Sequence, residues 1–260
     1  MAWQGMRSGR GRAVALRSDD SGLVAVDDGT RKIYVPHVRL AADFQTGISL
    51  RLEAVAEKYL GQTGYAPREG DVVVDVGAGL GEFTLWCADA GARVIAFEPD
   101  PLAFECLQKN TAAFPNVEIH QFALWKEHTN LRLHGSLDTR ESSLIEDGKA
   151  NTRNSDVVAW PLDQVQFLAR LPVIDLMKID GEGVEPEIIA GAARTLRRTR
   201  IVTVDIGATD RRPNLKARVS SALTGENFRI VDHDRSDTML ALNSAMVGPT
   251  NNRVLARRSS

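Results

Sequence analysis

Asp75, Gly77, Gly79 and Gly81 occupy alternate positions in Asp71-Val-Val-Val-Asp-Val-Gly-Ala-Gly-Leu-Gly-Glu-Phe-Thr84. Glycines at this spacing let a chain turn sharply and present main-chain N–H groups to a ligand. A tight turn with no ligand would need them too, so the acidic residues further along the chain decide between the two. Glu98 ends the next apolar run, Arg93-Val-Ile-Ala-Phe97, about 20 positions beyond the glycines, where a carboxylate can accept the hydroxyls of a ribose. A second acidic group, Asp180, Glu182 and Glu185, lies in Val173-Ile-Asp-Leu-Met-Lys-Ile-Asp-Gly-Glu-Gly-Val-Glu-Pro-Glu187, and Asp205 closes Val202-Thr-Val-Asp205. Such carboxylates can take a proton from a reacting group or share a hard cation. The histidines are His37, His120, His128, His134 and His233. A lone histidine is more often a packing or surface residue than a base, and His120, His128 and His134 are the candidates.

Strands and helices must bring these residues together. Val72 to Val76 is short and apolar apart from Asp75, as a buried parallel strand would be, and Phe83, Trp86 and Cys87 follow at helical spacing. The unit reads strand, Gly-rich turn, helix. Beyond it, helix and strand patterns alternate: helix 101–114, strand 117–122, strand 173–179, helix 186–199, strand 200–206, helix 214–226, and strands 228–231 and 238–242. The region from Lys126 to about Asp156 has scattered turn residues and is expected to be irregular, with Ser142 and Ser143 in an ordinary loop and Trp160 in an extended segment. Alternation of this kind predicts an α/β fold, a Rossmann-like seven-stranded, mostly parallel sheet with an antiparallel edge. In such a sheet ligands bind outside the carboxyl ends of the strands, which brings Asp180, Glu182 and Glu185 near anything held by the glycines.

The expected organisation is a flexible basic tail over 1–17, an N-terminal hairpin and helix cap over 18–65, the main domain over 66–246 and a C-terminal tail over 247–260. Within the cap, Leu23–Val26 and Lys32–Val35 flank an Asp-Gly turn, and Ile48, Leu52, Val55, Ala56 and Tyr59 recur at helical spacing in 41–60. The net charge of −2 offers no global field for nucleic acid or an acidic membrane. Cys87 and Cys106 lack metal-ligand spacing and read as reduced core thiols. No apolar run reaches the ~20 residues of a membrane span and no signal-peptide core is visible, so a soluble, cytoplasmic protein is expected.

The Asp75-x-Gly77-x-Gly79-x-Gly81 spacing resembles the D-x-G-x-G-x-G of S-adenosylmethionine-dependent methyltransferases more than the G-x-G-x-x-G of dinucleotide-binding proteins. With Phe97-Glu-Pro-Asp-Pro101 and Leu176-Met-Lys-Ile-Asp-Gly-Glu-Gly-Val-Glu-Pro-Glu187, the chain resembles the FkbM family of methyltransferases over roughly Asp71 to Ala245. The resemblance implies an S-adenosylmethionine-dependent O-methyltransferase acting on a hydroxyl of a small molecule such as a sugar, glycolipid or polyketide. It implies that Asp75, Gly77, Gly79 and Gly81 hold the methionine end of the cofactor and Glu98 the ribose. Phe122 and Ala123 fall where such folds stack the adenine, although core packing accounts equally well for Phe122. The family usually has an apolar residue where this chain has Gly181, which would loosen that turn. Methyl transfer to a hydroxyl needs alignment and removal of one proton, for which Asp180, Glu182 and His128 are the candidates. Asp180 and Asp205, with Glu182, could instead hold Mg²⁺ or another divalent cation; capping a helix or turn is the competing account. RNA or protein methylation is the alternative reading, served by the basic tail, and a non-catalytic nucleotide-binding protein is a third. Nucleic acid is disfavoured by the balanced charge, and the oligomeric state stays open, a homodimer included.

Overall fold

A computed structural model describes residues 14–61, 65–136, 152–207, 214–231 and 237–247. The chain opens with three short strands, β1 (Ala15–Ser18), β2 (Val24–Asp27) and β3 (Lys32–Val35), which form one antiparallel sheet. A 3₁₀ helix (Val38–Phe44) and α1 (Ile48–Leu60) come next. Then come β4 (Val72–Val76), α2 (Glu82–Asp89), β5 (Arg93–Phe97), α3 (Pro101–Thr111), β6 (Val117–His120) and β7 (Ala123–Leu124). After β8 (Thr129–Ser136) and β9 (Thr152–Trp160), the chain returns to β10 (Ile174–Ile179), α4 (Glu185–Ala190), α5 (Ala193–Leu196) and β11 (Thr199–Asp205). It ends in α6 (Leu215–Gly225), β12 (Phe228–Val231) and β13 (Thr238–Asn243).

The main sheet has seven strands in the order β12-β13-β11-β10-β4-β5-β6. β11, β10, β4, β5 and β6 pair in parallel, while β13 pairs antiparallel with both β11 and β12. Period-two alternation sends successive side chains to opposite faces. Val74, Met177 and Val202 point into the cluster beneath α4 and α6, whereas their neighbours Val73, Leu176 and Ile201 point into the cluster that takes Tyr59, Phe83 and Cys87. With helices on both faces, the tips of β4, β5, β10 and β11 open at one edge of the sheet.

The N-terminal elements pack into this body. Leu23, Ile33, Phe44 and Leu52 share a cluster with Leu80, Leu85 and Cys106 of the main domain. Asn110 of α3 docks the small sheet: it accepts from Tyr34 N at 2.6 Å and donates to Tyr34 O and Leu80 O at 3.0 and 2.8 Å.

Four expectations differ from the structure. Residues 15–17, placed in the tail, form β1 because Ala15–Ser18 pair with Val24–Asp27; residues 1–13 and 248–260 lie outside the described residues. The helix foreseen over 41–60 divides at Gly47, whose φ of 112° no helix accommodates. That over 186–199 divides at Gly191, where an added Cβ would stand 2.1 Å from Trp125 O. Finally, the described parts of the region from Lys126 to Asp156 are not irregular: residues 129–136 and 152–156 form strands, and residues 137–151 lie outside the described residues. β8 and β9 pair antiparallel from Thr129↔Ala159 onward and β7 joins β9, so Ala123 belongs to a third sheet, of three strands, and not to the main sheet. Leu131 and Leu133 alternate with polar residues there, and Leu133, Val157 and Ala159 bury one face. Ser142, Ser143 and His233 lie outside the described residues. No helix among the described residues is long and apolar enough to cross a membrane.

Candidate active site

A cavity of about 450 Å³ opens at the tips of β4, β5, β10 and β11, within the range that small-molecule sites occupy. Its floor is the glycine turn. Gly77 has φ 72°, and an added Cβ would stand 2.0 Å from Asp180 O, so two strand tips meet there too closely for any side chain. Gly79 has φ 57° and open space where a Cβ would be, which leaves its backbone accessible to a ligand. Gly81 is turned the other way, toward Leu107 beneath the turn, and is not part of the cavity wall.

Glu98 lies across this turn, buried. Its Oε2 accepts from Gly79 N at 2.7 Å and its Oε1 from Asp100 N at 2.8 Å. Burial pushes its pKa up to about 7, although the Asp100 and Gly79 N–H groups pull the other way. Each carboxylate oxygen has a second lone pair, so the two backbone bonds leave room for hydroxyl donors.

Asp75 does not line the cavity, which corrects the expectation that it faces the cofactor. It is fully buried; Oδ2 accepts from Thr84 Oγ1 at 2.6 Å, and Oδ1 has the Lys178 ammonium at 3.1 Å. Lys178 is the hub of this half of the site. Its Nζ donates to Gly77 O at 2.6 Å and lies 3.8 Å from Asp180 Oδ2. Burial alone would lower its pKa, but Asp75 and Asp180 outweigh burial and hold the ammonium above its usual value. The lysine therefore ties the carbonyl of the glycine turn to the strand that delivers Asp180.

The turn after β10 is tight rather than loosened. Glu185 Oε1 accepts from Gly181 N at 3.0 Å and Gly183 N at 2.9 Å, and a Cβ at Gly181 would meet Ile188 Cδ1 at 2.6 Å. The place of the family's apolar side chain is thus filled by Ile188. Glu185 is a buried clamp of this loop and not a cavity residue; Glu182, held at φ 53°, is on the wall.

The opposite wall comes from α1. Tyr59 donates to Asp180 Oδ2 at 2.6 Å, and Lys58 pairs with Asp205 Oδ2. The end of α1 is anchored in turn: Thr203 Oγ1 donates to Tyr59 O and Thr238 Oγ1 to Lys58 O, both at 2.9 Å. Burial first, then the Asp180 and Asp205 charges, keep the Tyr59 hydroxyl protonated, so it serves as a donor. Burial and the Asp180 charge raise the pKa of Asp205, with Lys58 offsetting part of the rise. Arg51, earlier on the same helix, directs Nε to Glu82 Oε1 at 2.6 Å. Sequence reasoning passed over Arg51, Lys58 and Tyr59 as site residues; only the placement of an apolar stripe beside them hinted that this helix packs on the strand tips.

Asp180, Glu182, Asp205, Gly77, Gly79, Glu98, Phe122 and Ala123 line the cavity wall. Phe122 lies against Phe97, ring centroids 5.2 Å apart. His128 is not brought there. It is exposed and stacks on Trp160 at 3.6 Å, because it enters β8, which pairs with β9 in the sheet outside the main one. His134, on β8, is likewise absent from the wall, and His120 is stacked between Phe97 and Phe167. For the expected cation site, no group of three or more His, Cys, Asp or Glu suited to a metal occurs among the described residues. Asp180 and Asp205 are instead met by Lys178, Tyr59 and Lys58.

A family model for the methyltransferase FkbM domain matches residues 75–235. The chain belongs to the FkbM family of methyltransferases. It is similar to the hexuronic acid methyltransferase AglP of Haloferax volcanii, 28% identical over 144 residues that cover 54% of this chain and 57% of that protein. It is also similar to ribosomal RNA small subunit methyltransferase A of Thermotoga petrophila, 39% identical over 67 residues, or 26% of this chain and 25% of that protein. The chain thus spans between a quarter and just over half the length of these relatives. Among solved structures, fibrillarin from Aeropyrum pernix with bound S-adenosyl-L-methionine aligns at a TM-score of 0.47 and 14% identity, covering 93% of this chain and 99% of that one. In this FkbM methyltransferase the matched segment supplies the glycine turn, Glu98, Asp180 and Asp205, while the α1 wall lies outside it.

Proposed function

We propose that this FkbM methyltransferase transfers the methyl group of S-adenosylmethionine to a hydroxyl of a small, sugar-like acceptor. The observation that carries the reading is the arrangement at Asp180. Among the described residues, Tyr59 and Lys178 both meet its Oδ2, which leaves Oδ1 to accept a proton. The residues fit the donor: Gly79 offers open backbone, Glu98 keeps lone pairs for ribose hydroxyls, and Phe122 and Ala123 give an apolar wall for the adenine. When bound, the donor supplies an already activated methyl group, so the protein's work is alignment and proton removal. Asp180 takes the hydroxyl proton at Oδ1, and Tyr59 and Lys178 hold its other oxygen and keep the carboxylate in place. Glu182 lines the same wall and orients the acceptor. α1 forms the opposite wall of the cavity over the strand tips. The similarity to a hexuronic acid methyltransferase supports a sugar acceptor.

Two measurements test this. Isothermal titration should show saturable binding of S-adenosylmethionine, and its absence would sink the reading. A screen of sugars, polyketides and RNA with labelled methyl donor should then find a hydroxyl acceptor. With that acceptor, Asp180→Asn should lower kcat by about 10²- to 10⁴-fold with donor affinity retained. A substrate among the RNAs alone would replace the sugar reading.

A further inference from the structure

The ionisable groups on the cavity wall are unequal in number and in what they have left to offer. Six carboxylates line it, Asp43, Glu82, Glu98, Asp180, Glu182 and Asp205, against three cations, Arg51, Lys58 and Lys178. Any anion entering is repelled by most of the wall and needs a cation that still has donors. Lys178 is buried and used up by Gly77 O, Asp75 and Asp180. Lys58 is paired with Asp205 and lies 4.9 Å from the centre of the Tyr59 ring. Arg51 differs. Its Nε is directed to Glu82, and among the described residues no protein acceptor meets its two terminal nitrogens. Four of its five N–H donors are therefore available, and the Glu82 bond holds the guanidinium plane. Its side chain is 34% exposed, so these donors are solvated until a ligand replaces the water.

A planar pair of parallel N–H groups matches the two oxygens of a carboxylate. We propose that Arg51 binds the carboxylate at the methionine end of the methyl donor. Glu82, which Arg51 grips, is the residue immediately after Gly81, so the guanidinium stands beside the glycine turn that forms the cavity floor. The Asp43 and Glu82 charges act on the arginine and cut its net attraction, so the bidentate geometry, more than bare charge, gives the selectivity. The residue belongs to α1, outside the matched family segment, and the inference rests on the proposal that S-adenosylmethionine is the donor.

The test compares S-adenosylmethionine with its decarboxylated form, which keeps the sulfonium, the amine and the nucleoside. Titration calorimetry on the full chain should show the unaltered protein preferring S-adenosylmethionine by about ten- to a hundredfold. Arg51→Met should abolish that preference by weakening S-adenosylmethionine alone, and Arg51→Lys should recover only part of it. Retained binding of the decarboxylated compound reports that the variant is folded. Equal weakening of both ligands in Arg51→Met, or no weakening of either, overturns the proposal. If the unaltered protein binds neither compound, the donor reading itself falls.

Discussion

The two walls of the cavity are built in different ways. On the strand-tip side, the backbone does most of the positioning: Gly77 packs against Asp180 O, Gly79 N donates to Glu98, and Glu185 clamps Gly181 N and Gly183 N. On the α1 side, three side chains reach in from one helix, each ending on a carboxylate of the main domain: Arg51 on Glu82, Lys58 on Asp205 and Tyr59 on Asp180. The first wall holds a shape and the second sets the charge and orientation of groups that shape presents. On this division, breaking the first should cost stability, and breaking the second should cost rate with the fold intact.

Lys178→Met attacks the first wall at its hub and should show the largest effect. It leaves Asp75 buried with its Oδ1 facing no cation, a loss of about 3–5 kcal/mol typical of a broken buried pair. Thermal and urea unfolding should register it as a drop in midpoint. A variant as stable as the parent would mean that Lys178 belongs functionally with the α1 wall.

Glu98 tests the same wall through pH. Its folded pKa of about 7 is above the ordinary glutamate value of 4.5, so the native state holds a proton that the unfolded chain has lost between those values. Stability from this group is fully present below about pH 4.5 and is lost as pH rises through about 7, of order 3 kcal/mol in all. Urea titrations from about pH 4.5 to 8 should show this fall, and Glu98→Gln should flatten it. A slope unchanged in the variant would assign the titration elsewhere.

The strand-tip wall was the legible one, for a physical reason. Backbone constraints leave a mark in residue type and spacing, since only glycine fits at Gly77, and a strand that must be buried on both faces reads as an unbroken apolar run. Seven strands, their mostly parallel order and the reversed β13 agree with that alternation. The α1 wall left no such mark. Spacing at Ile48, Leu52, Ala56 and Tyr59 announces a helix with a buried stripe, but not that the stripe's end would lie on Asp180. Asp75 misled in the opposite direction. A carboxylate in a ligand-binding motif reads as a ligand contact, whereas full burial beside Lys178 makes it a structural counter-charge. The β8–β9 pairing was hidden because strand partners separated by a long polar stretch carry no local signal of each other.

Tyr59→Phe probes the second wall with the smallest possible deletion, one hydroxyl. The ring keeps its edge contact with Phe83 at 5.4 Å and its place in the core, so the unfolding midpoint should move little. Asp180 loses the donor that meets its Oδ2 and, among the described residues, is left with Lys178 beside that oxygen. The expected result, with the acceptor found by screening, is a kcat lower by about ten- to a hundredfold, or roughly 1.4–2.7 kcal/mol, with donor affinity unchanged. An unchanged rate, or a loss in rate that only follows a lowered unfolding midpoint, would assign Tyr59 to packing only.

Exhaustive chelation should do least. Asp180 and Asp205 stand at neighbouring strand tips, as ligands of a hard cation would, and such an ion would need several oxygens around it. Here Lys58 already pairs Asp205, Tyr59 and Lys178 already meet Asp180, and no group of three candidate ligands occurs among the described residues. The lysine ammonium groups supply the positive charge that a metal would bring, so the rate with a hydroxyl acceptor should be unchanged after treatment with EDTA. A rate abolished by EDTA and restored by Mg²⁺ would require Lys58 to leave Asp205 during turnover. The end of α1 would then be a mobile gate over the strand tips, and the contrast between a wall that shapes and a wall that charges would give way to one between a fixed and a moving half.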